Sequence, residues 1–295
     1  MRKLLLLLIA VSCLVMVNPQ LVSAAQASIV QDTVQEIYFD RGDPAETVMQ
    51  RYILIEVDNA VGTVILFMGG QGILYLVTWE SHGYLHISNT NFLVRTRHHF
   101  AAEGFNVVVI DAASDFWEFP RGLIGHRTSA EHLSDIAAVI KDFPSKLLLD
   151  DPDPICLVGT SRGTISAGAY AAEAPSDPDL PDIDCLVLTS SLTQQPDNPT
   201  GHQNLLDDVQ LELVNVPTYV VAHKKDKCNV TPPSDVKVLK SLLSVGSPKV
   251  GVKTFCGGTT PLSDECNALS AHGFFGIEPS VVSDIGKWMR KQIGE

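Results

Sequence analysis

The chain has 295 residues, with 34 acidic residues against 21 basic ones and a formal net charge of −13. No Lys/Arg cluster interrupts that balance, which argues against nucleic acid and anionic membrane surfaces as partners. The length suits one α/β domain with a few insertions, and the acidity says nothing about substrate.

In chain order, Arg2 and Lys3 precede an apolar run over residues 4–17 and then small residues, the layout of a secretory leader. The sequence predicts a signal peptide over residues 1–25, cleaved near 24–27, and a secreted or periplasmic product without stable membrane insertion, because the run is too short for a convincing span. Cys13 matches a lipid-attachment box poorly. Removing the two leader cations leaves 19 basic residues against 34 acidic, a net of −15.

Residues 29–39 and 47–57 alternate as strands, with Gly42, Asp43 and Pro44 as the turn between them, so the domain opens on an antiparallel hairpin. The runs 63–68, 106–110, 155–158, 184–188 and 218–222 are short, continuous and rich in Val, Ile and Leu. Such runs suit strands buried on both faces of a parallel sheet. Helical patterns fall between or after them at 91–103, 129–142, 162–173, 234–243 and 279–292. Ser129 supplies a helix start, and Pro144 and Pro175 supply helix ends. The expected architecture is α/β: a doubly wound, mostly parallel sheet of about eight strands, one domain over 26–295. The polar, turn-rich stretch near 190–212 is expected to form a small lid.

The sharpest chemical signal is Gly159-Thr160-Ser161-Arg162-Gly163, between an apolar strand and a helical run, the strand-turn-helix setting of a GxSxG nucleophile elbow. Glycines are required there because side chains at 159 and 163 would collide with the neighbouring strand and helix, while Ser161 takes a strained conformation that lifts its hydroxyl clear. The helix behind it aims its first amides, that of Arg162 among them, at a developing oxyanion. A second signal, Met68-Gly69-Gly70-Gln71-Gly72, ends the 63–68 strand where a second oxyanion donor is wanted. Gly70 or Gln71 would supply that amide. A phosphate loop is the rival, but no Lys-Ser/Thr follows and the spacing is wrong for GxGxxG.

Chain order supplies the remaining roles. Asp226 follows the 218–222 strand as the acid, and His272 lies after the final strand (249–255) and before the last helix as the base. Of the nine histidines, His82, His86, His98, His99, His126 and His132 precede the nucleophile, His202 lies in the expected lid, and His223 precedes the acid. His98 with His99 lacks a third ligand or a carboxylate at useful spacing, and no cysteine spacing resembles a zinc site, so neither metal nor organic cofactor is expected.

Five cysteines follow the leader, which in an oxidising compartment predicts at least one disulfide and at least one unpaired thiol. Cys228 lies two residues past Asp226 and Cys266 six before His272, so convergence of acid and base would bring these two together, and a Cys228–Cys266 bridge is expected. Cys156 and Cys185 each open an apolar run and are expected to be reduced core residues.

The elbow at Ser161, the glycine loop 69–72 and the order Ser161, Asp226, His272 together resemble the α/β-hydrolase superfamily over nearly the whole mature chain. The segments 226–228 and 266–273 look like those of its secreted bacterial members. The resemblance implies a serine hydrolase that cleaves small-molecule esters or acyl compounds through an acyl-enzyme intermediate. The same triad could serve a peptidase or amidase, and a non-catalytic binding protein on the same scaffold is a third class. Arg162 departs from the small or apolar residue often found after the nucleophile, placing a cation that would favour anionic substrates. Oligomeric state is not legible.

Overall fold

The computed structural model describes residues 31–42, 47–79, 84–87, 90–118, 121–147, 153–196 and 201–295. The expected leader, the centre of the Gly42 to Pro44 turn and residues 197–200 of the expected lid lie outside them.

Among the described residues ten strands form in chain order: β1 (Thr33–Asp40), β2 (Thr47–Ile55), β3 (Thr63–Phe67), β4 (Leu76–Trp79), β5 (Tyr84–Ile87), β6 (Asn106–Ile110), β7 (Ile155–Thr160), β8 (Cys185–Thr189), β9 (Thr218–His223) and β10 (Val250–Phe255). Eight of them make one sheet in the order β1-β2-β6-β3-β7-β8-β9-β10, antiparallel at β1/β2 and β2/β6 and parallel from β6 to β10. The helices are α1 (Phe92–Ala102), α2 (Ala130–Lys146), α3 (Gly163–Glu173), α4 (Leu205–Asp208), α5 (Val236–Leu243) and α6 (Glu278–Ile293).

The continuous apolar runs have a physical reason. Along β3, Ile65 and Phe67 join one core while Val64 and Leu66 join the other, and β6, β7 and β8 divide the same way. Successive side chains point to opposite faces, so a strand covered on both sides must be apolar at every position. One core takes α2, α3 and α5; the other takes Phe92 and Phe100 of α1 and Val281, Ile285 and Met289 of α6.

Three elements differ from the sequence reading. Residues 76–79 and 84–87 pair as a separate two-stranded antiparallel sheet, β4 with β5, where no strand was expected. Helix α2 continues through Pro144 to Lys146, because losing one amide donor near a helix end leaves the turn already built behind it intact. Cys156 and Cys185 are joined by a disulfide rather than reduced, since parallel β7 and β8 place them as direct register partners with Cα atoms 4.6 Å apart. The stretch near 190–212 is anchored where it is described: Leu205 and Leu211 are fully buried in the core beside α3.

The loops after β3, β7, β9 and β10 leave from the carboxyl ends of parallel strands. Those ends share one edge of the sheet, where open α/β sheets place their sites.

Candidate active site

At the end of β7 the backbone turns into α3 through Ser161, which holds φ 53°. That left-handed conformation is uncommon for a residue with a side chain and is sustained by its surroundings. The Ser161 amide donates to the Thr189 carbonyl at 3.0 Å, and its own carbonyl accepts from the Thr164 amide at 3.0 Å and the Thr164 hydroxyl at 2.6 Å. The flanking glycines are forced by contact. A Cβ at Gly159 would lie 2.6 Å from the Gly163 carbonyl oxygen, and one at Gly163 would run into the carbonyl of Phe67 in β3.

Asp226, expected to be the acid, follows β9 in a tight turn, where its amide donates to the His223 carbonyl at 3.0 Å. Its buried carboxylate accepts three hydrogen bonds: Oδ1 from the Cys228 amide at 2.9 Å, and Oδ2 from the Thr231 hydroxyl at 3.0 Å and from His272 Nδ1 at 3.0 Å. The imidazole sits in a single 3₁₀ turn, Ala271–Gly273, whose start is capped by the Ser270 hydroxyl accepting from the His272 amide at 3.1 Å. The Ser190 hydroxyl holds the other side of that residue, donating to the His272 carbonyl at 2.7 Å. Gly273 is needed for closeness, because a Cβ there would collide with the Ala268 carbonyl; the positive φ in this turn falls on the next residue, Phe274, at 56°.

His272, its Nδ1 engaged by Asp226, lines a pocket of about 350 Å³ that Ser161 also lines. Met68, Gly69, Gly70 and Gln71 form another wall, and a Cβ on Gly69 would lie 2.9 Å from that of Ser161, so the glycine loop abuts the nucleophile position. Cys266 and Asn267 contribute a third wall. Cys266 is bonded to Cys228 (S–S 2.05 Å), which ties the loop after β10 to the turn that carries Asp226. Cys256 is free and exposed.

The side chain of Arg162 turns away from the substrate space: its Nη2 lies 3.3 Å from Nδ1 of His202, and it is not among the residues lining the pocket. Burial lowers the pKa of Arg162, and burial followed by the nearby Arg162 charge lowers that of His202. The His223 Nδ1 accepts from the Lys225 amide at 3.0 Å and its ring meets Phe274 edge-on. His98 pairs with Asp32 at 3.1 Å, a carboxylate that only the fold brings near. Among the described residues no cluster of three or more His, Cys, Asp or Glu side chains could hold a metal, and no helix is long and apolar enough to cross a membrane.

Thr231 is the site residue that sequence reasoning missed. Besides donating to Asp226, its hydroxyl lies 3.1 Å from His272 Nδ1, so carboxylate, imidazole and hydroxyl form one closed triangle. A threonine five residues past an aspartate carries no motif, and only the backbone path of that turn identifies it.

No protein-family model and no curated protein matches this sequence. Solved structures do match its fold. The esterase Pf2001 of Pyrococcus furiosus superposes with a TM-score of 0.57 at 14% identity, covering 89% of this chain and 93% of that one. The α/β hydrolase MGS-M1 from a Medee basin deep-sea metagenome library gives 0.55 at 17%, covering 90% and 99%. Carboxyl esterase 2 of the mycorrhizal fungus Tuber melanosporum gives 0.56 at 12%, covering 92% and 89%. Together with the strand order, these likenesses establish that the chain has the α/β-hydrolase fold. Fold alone does not fix chemistry, which has to be argued from the site.

Proposed function

We propose that this protein is a secreted serine hydrolase that cleaves small carboxylic esters through an acyl-enzyme intermediate, with Ser161 as nucleophile, His272 as base and Asp226 as orienting acid. The observation that carries the reading is the buried contact between His272 Nδ1 and Asp226 Oδ2 at 3.0 Å, behind a pocket lined by both His272 and Ser161. A neutral imidazole held through Nδ1–H leaves Nε2 as acceptor for a hydroxyl proton.

In the first half-reaction the Ser161 oxygen forms a bond to the ester carbonyl carbon while its proton passes to His272. The carbonyl electron pair moves onto oxygen, and the oxyanion is held by the amide of Arg162 and by that of Gly70 or Gln71, each donor contributing about 3 kcal/mol. Collapse expels the alcohol, which takes the proton from His272. Water then repeats the sequence, attacking the acyl carbon and releasing the acid and the free serine. Asp226 keeps the ring in one tautomer and offsets the charge it gains.

The likeness to esterases supports the ester class over an amide. A pocket near the small end of the usual range for ligand sites favours short acyl groups. Two disulfides support an oxidising compartment, in keeping with a leader over residues 1–25 and one catalytic domain over 26–295. The test is a panel of p-nitrophenyl esters of rising chain length together with labelling by a fluorophosphonate probe. The wild type is expected to label and to turn over the shortest esters fastest, and Ser161→Ala to do neither. Wild-type turnover that survives Ser161→Ala would refute the assignment.

A further inference from the structure

The loop after β3 has every carbonyl from Met68 to Gly72 accepting a hydrogen bond. Gly69 accepts from the Gly72 amide at 3.3 Å, Gln71 from the Leu123 amide at 2.8 Å and Gly72 from the Ala112 amide at 2.9 Å. The remaining two, Met68 and Gly70, are held by one side chain: Nη2 of Arg127 donates to them at 3.3 and 3.2 Å. In a planar trans peptide the N–H points opposite to the C=O, so fixing these carbonyls fixes the directions of the amides of Gly69 through Ile73.

Arg127 is fully buried and its Nη1 donates to the Ser166 hydroxyl at 2.8 Å, in the helix that starts behind Ser161. His132 Nε2 contacts the same hydroxyl at 2.9 Å. The guanidinium therefore spans the glycine loop and the nucleophile's helix. It forms no ion pair among the described residues, and its Nε has no partner. Burial, with the Arg162 charge adding to it, pushes the guanidinium down to about 9. An unpaired buried cation is a poor choice for stability, because an apolar side chain of similar volume would fill the same space without the desolvation penalty. What only the guanidinium gives is one planar group that holds both carbonyls through Nη2 while its Nη1 holds the Ser166 hydroxyl in α3, with positive charge facing the loop.

We infer that Arg127 is a positioning residue for ester hydrolysis: it clamps the Met68 and Gly70 carbonyls to α3 so that the loop amides stay aimed at the forming oxyanion. This inference rests on the serine-hydrolase reading above. Preorganised donors act on the transition state far more than on the bound ester, so the effect belongs in kcat and not in KM.

The experiment uses the full chain carrying Arg127→Met, Arg127→Lys or Ser166→Ala. It measures turnover of p-nitrophenyl acetate per fluorophosphonate-titrated site and inhibition by phenylboronic acid, which forms a tetrahedral adduct on the serine. Arg127→Met is expected to lower kcat about 100-fold, with KM little changed and the boronate inhibition constant raised in parallel. Arg127→Lys keeps a charge but has one nitrogen, which cannot hold the two carbonyls and the Ser166 hydroxyl together, and is expected to fall between Arg127→Met and the wild type. Ser166→Ala leaves the clamp in place but loosens its anchor, and is expected to lower kcat several-fold; with Arg127→Lys it decides the matter if Arg127→Met does not fold. The inference is overturned if per-site kcat and boronate inhibition stay at wild-type values in Arg127→Lys and Ser166→Ala, however far the melting temperature drops. A wild type that neither labels nor turns over would defeat the hydrolase reading itself.

Discussion

Replacing Thr231 by valine removes one hydroxyl from the triangle with Asp226 and His272 and changes almost nothing in volume. The Asp226 carboxylate would fall from three donors to two, keeping the Cys228 amide at 2.9 Å and the imidazole at 3.0 Å. A hydrogen bond to a buried charged group contributes about 1.5–3 kcal/mol, more than a neutral one, because the group left behind is desolvated. Much of that is felt when the imidazole becomes cationic, since the hydroxyl also sits 3.1 Å from His272 Nδ1 and limits how the ring can turn about its contact with the acid. Taking about 2 kcal/mol of lost transition-state stabilisation gives roughly a 30-fold drop in kcat/KM. Thr231→Ser keeps the hydroxyl and is expected within about threefold of the wild type, the difference being only a lost methyl contact. Steady-state ester hydrolysis, normalised to labelled sites, measures both. A Thr231→Val enzyme within twofold of wild type would mean that the backbone amide and the turn alone orient Asp226.

Two further predictions concern the supports of the site. The Cys228–Cys266 bridge closes a 38-residue separation, so Cys228→Ser with Cys266→Ser is expected to lower the unfolding free energy by about 4 kcal/mol in a denaturant titration; turnover should fall with it, because Cys266 lines the pocket, and an unchanged denaturation midpoint would refute the role. The pKa of buried His132 is lowered to about 3, by burial first and then by the charges of Arg127, Arg41 and His126. A depressed value means that the folded state binds the proton less well than the unfolded chain, so the contribution is present above about pH 6.5 and is lost as pH falls towards 3, at about 1.4 kcal/mol per unit. His132→Gln should flatten the decline of melting temperature between those limits, and an equally steep decline would show that His132 is not the group responsible.

The sheet was legible because burial on both faces writes itself into the sequence as uninterrupted Val, Ile and Leu, and the runs at 63–68, 106–110 and 218–222 correspond closely to β3, β6 and β9. The pair β4/β5 stands outside the eight-stranded sheet and left no comparable trace. The Cys156–Cys185 bridge shows where a one-dimensional reading stops. Burial of each cysteine followed from its run, but pairing depends on two strands being neighbours and in register. The offset was nevertheless there to use: each cysteine is the second residue of its expected run, and in-register parallel strands starting together bring such positions side by side. Thr231 and Arg127 had no such offset. Thr231 lies five residues from Asp226 but 41 from His272, and the side-chain partners of Arg127 lie 39 residues away or more, across loops whose paths no local pattern sets.

The elbow was readable for the opposite reason, since its constraint is almost wholly local. A residue held at φ 53° with a side chain costs on the order of 1–3 kcal/mol and persists only where its surroundings insist on it. Here the insistence comes from the Thr189 carbonyl on β8 and from the Thr164 amide and hydroxyl one turn into α3, which together occupy both polar groups of the Ser161 backbone. Gly159 and Gly163 let β7, α3 and β3 approach closely enough for those bonds to form, with Gly163 pressed against the Phe67 carbonyl. Glycine at those two places is therefore the condition for the strain at Ser161, and the strain is the condition for setting Ser161 on the pocket at the carboxyl edge of the sheet. That chain of necessity runs through five consecutive residues, which is why sequence alone could find it. The acid and base depend on strands and loops 65 and 111 residues further on, and had to be inferred from their order.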